Sequence, residues 1–216
     1  MKTIGIISDT HCYWDDRYAQ HFDGCDEIWH AGDIGNMALI DKIEAIGPQV
    51  RAVWGNADGQ DLRRRFKETE VFTTEGVKVM MTHIGGYPGR YAPGIKSRLE
   101  LVQPKIFVCG HSHILKVIPD RSLGVLTINP GAAGRQGWQK VRTLIRLTLD
   151  SGNITACQII ELADDRNNPQ GYIVESFEML GGGQRNNEAP QQGTATQPSP
   201  TQNATNTTTE GDNLPF

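Results

Sequence analysis

The 216-residue chain carries 38% apolar and 21% charged side chains, which fits one globular domain with a tail and excludes a coiled coil or a collagen. Its formal charge of -4 lacks the basic excess that draws a protein onto nucleic acid or anionic lipid, and its early apolar run, Ile4-Gly5-Ile6-Ile7, stops at Ser8-Asp9, far short of the ~20 residues of a membrane span. The four cysteines, Cys12, Cys25, Cys109 and Cys157, form no CxxC pair and lack the spacing of a disulfide scaffold, so free thiols and a cytoplasmic location are expected, with no membrane and no specific nucleic-acid partner.

In chain order, β-branched runs predict strands at Thr3 to Ser8, Glu27 to His30, Arg51 to Trp54, Val77 to Thr82 and Ile106 to Cys109. Between the second and third lies a helix, Met37 to Ile46, with apolar residues near helical spacing and a stop at Gly47-Pro48. Another runs from Ala92 to Val102, opened by Pro93 and closed before Pro104. Strands alternating with helices are the signature of an α/β protein. Beyond Ile114 the pattern turns all-β: Leu115 to Ile118, Gly124 to Ile128, Thr143 to Leu149 and Ile154 to Leu162, the last two joined by a hairpin at Asp150-Ser151-Gly152-Asn153. Composition then shifts at Gly181. Residues 181–216 carry one Arg and three acids among Gln, Asn, Thr, Gly and Pro, too few apolar groups to offset the entropy of ordering them. A domain over 1–180 with a disordered tail is therefore expected.

Polar residues with metal-binding atoms fall just after the predicted strands. Asp9 and His11 follow the first, Asp33 the second, Asn56 the third, His83 the fourth, and His111 with His113 the fifth. Open α/β sheets bind ligands beyond the carboxyl ends of their strands, so these seven side chains are expected on one rim. If the segments are extended, residues i and i+2 project to one side, which would pair Asp9 with His11 and His111 with His113. Gly32, Gly55 and Gly110 precede Asp33, Asn56 and His111, where the backbone must turn sharply. The mixed nitrogen and oxygen inventory suits Mn, Fe, Co, Ni or Zn. Seven donors exceed the needs of one ion and fit two, about 3.5–4 Å apart, with Asp33 bridging.

The blocks Asp9-Thr10-His11, Gly32-Asp33, Gly55-Asn56-Ala57-Asp58, Thr82-His83 and Gly110-His111-Ser112-His113 resemble the signature of the calcineurin-like metallophosphoesterases, in particular the small YfcE-type phosphodiesterase branch. The resemblance covers roughly residues 1 to 160 and includes the turn Asn129-Pro130-Gly131. It implies a layered α/β/α fold, a β-sandwich of two mixed sheets flanked by helices. It implies one metal on Asp9, His11 and His113, a second on Asn56, His83 and His111, and Asp33 between them, with Asp33, Asn56 and His83 the residues assigned to catalysis. The cofactors would be two divalent ions, Mn²⁺ foremost, with Ni²⁺, Co²⁺, Fe²⁺ or Zn²⁺ as alternatives. The chemistry implied is in-line attack on a phosphodiester by a metal-bridging hydroxide. The implied partner is a small-molecule or nucleotide-like phosphodiester, with homo-oligomerisation left open.

Two departures stand out. Many relatives carry His after the Asn of the third block, where this chain has Ala57, and Ile84-Gly85-Gly86 replaces the usual Gly-His after His83. Ala57 has no proton to give, so activated esters are the expected substrates. The alternatives are a phosphomonoesterase of the same fold and a non-catalytic scaffold like the retromer Vps-type subunit, which predicts eroded ligands and an exposed apolar patch. Of the remaining polar residues, His21 and His30 are expected to be structural, His30 with a weaker claim as a partner of a ligand. Asp58 is either a turn carboxylate or an orienting group, and Cys12 a small half-buried side chain. Arg63-Arg64-Arg65-Phe66-Lys67 is read as a solvated basic face ahead of a phosphate grip. Tyr87, Arg90 and Tyr91 either line or cap the pocket mouth.

Overall fold

The computed structural model describes residues 1–162 and the strand at 172–174. The expected boundary at Gly181 and the tail lie outside those residues. In chain order the elements are β1 (Lys2–Ile7), α1 (Arg17–Phe22), β2 (Glu27–His30), α2 (Met37–Glu44), β3 (Gln49–Ala52), α3 (Gln60–Arg65), β4 (Thr69–Thr74), β5 (Val77–Thr82), β6 (Gly86–Tyr87), β7 (Arg90–Tyr91), α4 (Ile95–Val102), β8 (Ile106–Val108), β9 (Leu115–Asp120), β10 (Val125–Pro130), β11 (Arg142–Asp150), β12 (Asn153–Leu162) and β13 (Tyr172–Val174).

Two mixed sheets result, as expected. One has six strands in the order β13-β12-β11-β1-β2-β3, the other five in the order β4-β5-β8-β10-β9. In the first, β1, β2 and β3 run parallel while β11 lies antiparallel to β1. In the second, β5, β8 and β10 are parallel and β4 and β9 are antiparallel at the edges.

Strand alternation explains the layering, because successive side chains point to opposite faces. Ile4, Ile6, Trp29 and Val53 from the first sheet meet Val77, Val79, Met81, Ile106, Val108 and Ile128 from the second in one core between the sheets. The residues out of phase, Ile7, Ile28 and Leu144, turn to the other face and bury against Tyr18, Phe22, Leu39, Ile40 and Ile43 of α1 and α2. Met80 and Phe107 likewise turn outward onto Ile95 and Leu99 of α4. Helices therefore cover both outer faces of the sandwich. Among the described residues no helix is long and apolar enough to cross a membrane.

Several boundaries differ from expectation. β3 ends at Ala52: the Val53 amide makes a last bond to the His30 carbonyl of β2, after which Val53 bridges Lys67 and the Trp54 amide donates to the Lys67 carbonyl. α4 begins at Ile95, since Gly94 is left-handed at φ 78° and breaks the path from Pro93 into the helix. α2 stops at Glu44, two residues early, in a turn through Ala45 and Ile46. The hairpin between β11 and β12 forms as expected, with Ser151 and Gly152 both at positive φ.

Candidate metal centre

The parallel strands carry the chain repeatedly to the same rim. Asp9 and His11 follow β1, Asp33 follows β2, Asn56 follows β3, His83 follows β5, and His111 and His113 follow β8. The side chains of Asp9, His11 and His113 form one group whose donor atoms lie within 4.8 Å of one another, and those of Asp33, His83 and His111 form a second. The groups adjoin: His83 Nε2 lies 3.2 Å from Asp33 Oδ2 and 3.9 Å from Asp9 Oδ1, while His11 Nε2 lies 3.8 Å from Asp33 Oδ2. Asn56 is exposed and shares with His83 the lining of a cavity of about 230 Å³.

The tautomers follow from the partners. His83 Nδ1 lies 2.8 Å from the Ala31 carbonyl, which can only accept, so that nitrogen carries the proton in the neutral ring. Nε2 is then a bare acceptor. It is buried, makes no hydrogen bond, and faces the carboxylate oxygen of Asp33. His113 repeats the arrangement. Its Nδ1 lies 2.9 Å from Oε1 of Gln139, whose amide nitrogen donates to the carbonyls of Gly134 and Gln136, and its Nε2 lies 3.2 Å from Asp9 Oδ1. Two acceptors at such distances repel unless a proton or a metal cation lies between them. Burial opposes charging His83, but Asp33 and Asp9 raise its pKa above the ordinary value, and Asp9 raises that of His113. Burial would likewise raise the Asp33 carboxyl, yet His83 and the Ala57 amide hold it low. The donors thus fit a divalent cation of the Mn-to-Zn type.

The route to this convergence is not the expected one. Asp9, His11, Asp33, His111 and His113 all have positive φ, between 47° and 69°, so the ligand segments are left-handed turns and not extended strands. Such residues cost about 1 kcal/mol or more each and persist where surrounding contacts determine them. Those contacts are visible. The amides of Asp9 and His11 donate to the Gly32 and Asp33 carbonyls at 3.0 and 2.9 Å, and the His111 amide reaches both oxygens of Asp9. Glycine is required where the loops touch. A Cβ at Gly55 would overlap Oδ1 and the amide nitrogen of Asp33, and one at Gly110 would overlap Ser8 Oγ and come within 2.8 Å of Asp9 Oδ2.

Around the ligands stands a set of buried supports. Asp58 accepts from the amides of Gly35 at 2.7 Å and Gly55 at 2.8 Å, joining the loops after β2 and β3, so it is the orienting group of the two alternatives. His30 accepts from the Gly32 amide through Nδ1, so Nε2 carries the proton toward Thr10 Oγ1 at 2.8 Å, and Thr10 donates onward to Ile34. Burial lowers its pKa to about 4, which keeps this chain neutral. Asn129 donates to the Gly110 carbonyl and to Ser112 and accepts from the Gly131 amide, fastening the His111–His113 loop. Gln139 has no motif to announce it, and sequence reasoning missed it.

The other singled-out residues lie elsewhere or act differently. Arg63 is exposed, as expected of a solvated face, but it also stacks over Trp54 at 4.3 Å and donates to the carbonyls of Asp58 and Asn56. Arg64 is exposed beside Asp61, and Arg65 pairs with Glu44. Tyr91 bonds to Asp120, and Tyr87 packs under Lys116, so Ala92, Pro93, Ile95 and Arg98 line the cavity beside Asn56 in their place. Arg98 was not singled out in the sequence. His21 sits half-buried on α1. Cys12 is exposed rather than half-buried, and all four thiols are free.

Comparison with known proteins gives the same answer. A family model, the calcineurin-like phosphoesterase superfamily domain, matches residues 1–152. Among solved structures the chain is similar to vacuolar protein sorting 29 from Cryptosporidium parvum, at 18% identity and TM-score 0.66, over 81% of this chain and 96% of that one. It is similar to Vps29 complexed with zinc from Entamoeba histolytica, at 17% identity and TM-score 0.61, over 80% and 98%. It is also similar to an archaeal phosphodiesterase, at 21% identity and TM-score 0.57, over 74% and 99%. At these identities the structures show the fold alone. No curated protein sequence matches the chain. The family match spans the loops that bring the histidines and aspartates together, and the chain belongs to the calcineurin-like phosphoesterase superfamily.

Proposed function

We propose that this protein is a dinuclear metal-dependent phosphodiesterase, in which Asp9, His11 and His113 hold one cation, Asn56, His83 and His111 hold the other, and Asp33 serves both. The observation that carries this reading is His83 Nε2, a buried lone pair without a hydrogen bond, aimed at Asp33 from a ring fixed by Ala31. The fixed ring recurs at His113, whose Nε2 lies 3.2 Å from Asp9 Oδ1 and 3.4 Å from His11 Nε2, and this second convergence supports two positions rather than one.

Bound divalent ions would supply Lewis acidity, lowering the pKa of water and neutralising phosphate charge. The chain's own residues do the rest. Ala31 and Gln139 fix the ring orientations of His83 and His113, and the Ala57 amide holds one oxygen of Asp33, leaving the other toward the histidines. Arg98, in the cavity with Asn56 and His83 and braced by Thr69, offers a guanidinium to a phosphate oxygen. Ala57 supplies no proton to a leaving group, a loss that typically costs 10²–10⁴-fold, so turnover should favour esters with good leaving groups. The scaffold alternative predicts eroded ligands, whereas all the His and Asp donors are gathered here.

The test is hydrolysis of bis(p-nitrophenyl) phosphate with added Mn²⁺, ranked against p-nitrophenyl phosphate at equal concentration. Metal-dependent turnover that prefers the diester and is lost in Asp33→Asn is expected. No turnover, or turnover that survives Asp33→Asn, overturns the reading, and a preference for the monoester makes the protein a phosphomonoesterase.

A further inference from the structure

A second cavity, of about 330 Å³, opens beside His111 and His113 and is walled by Ser112, Ile114, Trp138 and Gln139. Its walls carry no Lys, Arg, Asp or Glu, only the ligand imidazoles and neutral groups. Trp138 is 101% exposed and Ile114 56% exposed. The other tryptophans are engaged: Trp29 bonds Glu27 and meets Phe72, Trp54 lies under Arg63, and Trp14 packs on Tyr18. Among the described residues, no ring, cation or hydrogen-bond partner is recorded for the Trp138 indole.

The indole is nonetheless held close to the metal ligands. Gln139 bonds His113, and Gly137, at φ 112°, passes so near that a Cβ there would overlap His113 Nδ1. Both chain neighbours of Trp138 thus abut one ligand imidazole. The cavity with Arg98 and Asn56 borders His83 and the cavity with Trp138 and Ile114 borders His111 and His113, so each of the two adjoining sets of histidines and carboxylates opens onto a cavity that could take one ester arm of a phosphate. An uncharged, part-aromatic wall recognises a flat neutral ring, by stacking, and not a second phosphate.

We propose that the cavity between Ile114 and Trp138 seats the nucleobase of a nucleotide-like phosphodiester, stacked on the Trp138 indole. This rests on reading the neighbouring histidines as metal ligands at a phosphate site. Binding is measured by calorimetry with Mn²⁺ present, using AMP and ribose 5-phosphate, which differ only in the base. AMP should bind about tenfold tighter, as one base–aromatic stack provides. In Trp138→Ala that advantage should fall below about twofold, while Trp138→Phe keeps most of it. Equal binding of the two ligands, binding of neither, or an advantage that survives Trp138→Ala overturns the proposal. Hydrolysis of bis(p-nitrophenyl) phosphate on the same samples separates the two readings. Turnover without an AMP preference removes the nucleobase site and spares the hydrolase. A Trp138-dependent preference without turnover upholds the nucleobase site and removes the hydrolase.

Discussion

Gln139 accepts the Nδ1 proton of His113 at 2.9 Å, across 26 residues of chain, and so turns Nε2 of that ring toward Asp9. The amide nitrogen of Gln139 is spent on two carbonyls, which leaves its oxygen no other orientation. Outer partners of this kind typically govern 10–100-fold of metal affinity. Gln139→Leu should weaken Mn²⁺ binding by about that factor, with turnover recovering at saturating Mn²⁺. Gln139→Glu keeps the acceptor but sets a carboxylate oxygen against the Gly134 and Gln136 carbonyls, so it should recover only part of the affinity. A metal titration of the three proteins checks this, and equal affinities would exclude the positioning role.

Asp58 is the corresponding support on the other side, 4% exposed, with one oxygen for each of the Gly35 and Gly55 amides. Hydrogen bonds to a charged acceptor contribute about 1.5–3 kcal/mol, and removing it leaves two amides without their partner. Asp58→Ala should therefore lower unfolding free energy by about 2–4 kcal/mol in urea, and the freed Asn56 loop should bind metal more weakly. A loss under about 0.5 kcal/mol would mean that water replaces the carboxylate.

How much of this was legible beforehand divides along chain distance. β2 and β5 read directly from short apolar runs, and the grouping of Asp9, His11, Asp33, His83, His111 and His113 from their places after the strands, because both signals are local. α1 and α3 were missed, as six residues give too little periodicity. The β4–β5 hairpin was missed although Glu75-Gly76, both at positive φ, is a two-residue turn. The left-handed ligand turns and the roles of Asp58 and Gln139 depend on contacts between segments far apart in sequence. No local pattern encodes those.

The basic run after the Asn56 loop separates into a brace and a surface. Arg63 stacks on Trp54 and holds the carbonyls of Asp58 and Asn56, while Arg64 is 77% exposed next to Asp61. Arg63→Ala should cost about 1–3 kcal/mol through lost stacking and two charge-assisted bonds. Arg64→Ala should stay within about 0.5 kcal/mol, as exposed pairs contribute little. Thermal and urea unfolding of both variants decide the matter, and equal losses would restore the uniform basic face.

Glu27 joins the two sheets from a position 1% exposed. Its carboxylate accepts from Lys2 at 2.8 Å, Thr74 at 2.6 Å, Trp29 at 2.9 Å and Arg51 at 3.1 Å. Burial pushes its pKa up, but these four donors together bring it down to about 2, from 4.5. A carboxyl depressed in the folded state stabilises above its unfolded pKa, and the contribution disappears as pH falls through the folded value. The shift corresponds to about 3 kcal/mol at neutral pH, at 1.36 kcal/mol per unit. Glu27→Gln should therefore be less stable than wild type by about 3 kcal/mol at pH 7, and by about half of that at pH 3, where most of the native carboxyl is still ionised and the unfolded one is not. Urea unfolding in metal-free buffer at the two pH values measures the difference. A gap that is the same at both would show that packing, and not the charge of Glu27, holds this junction together.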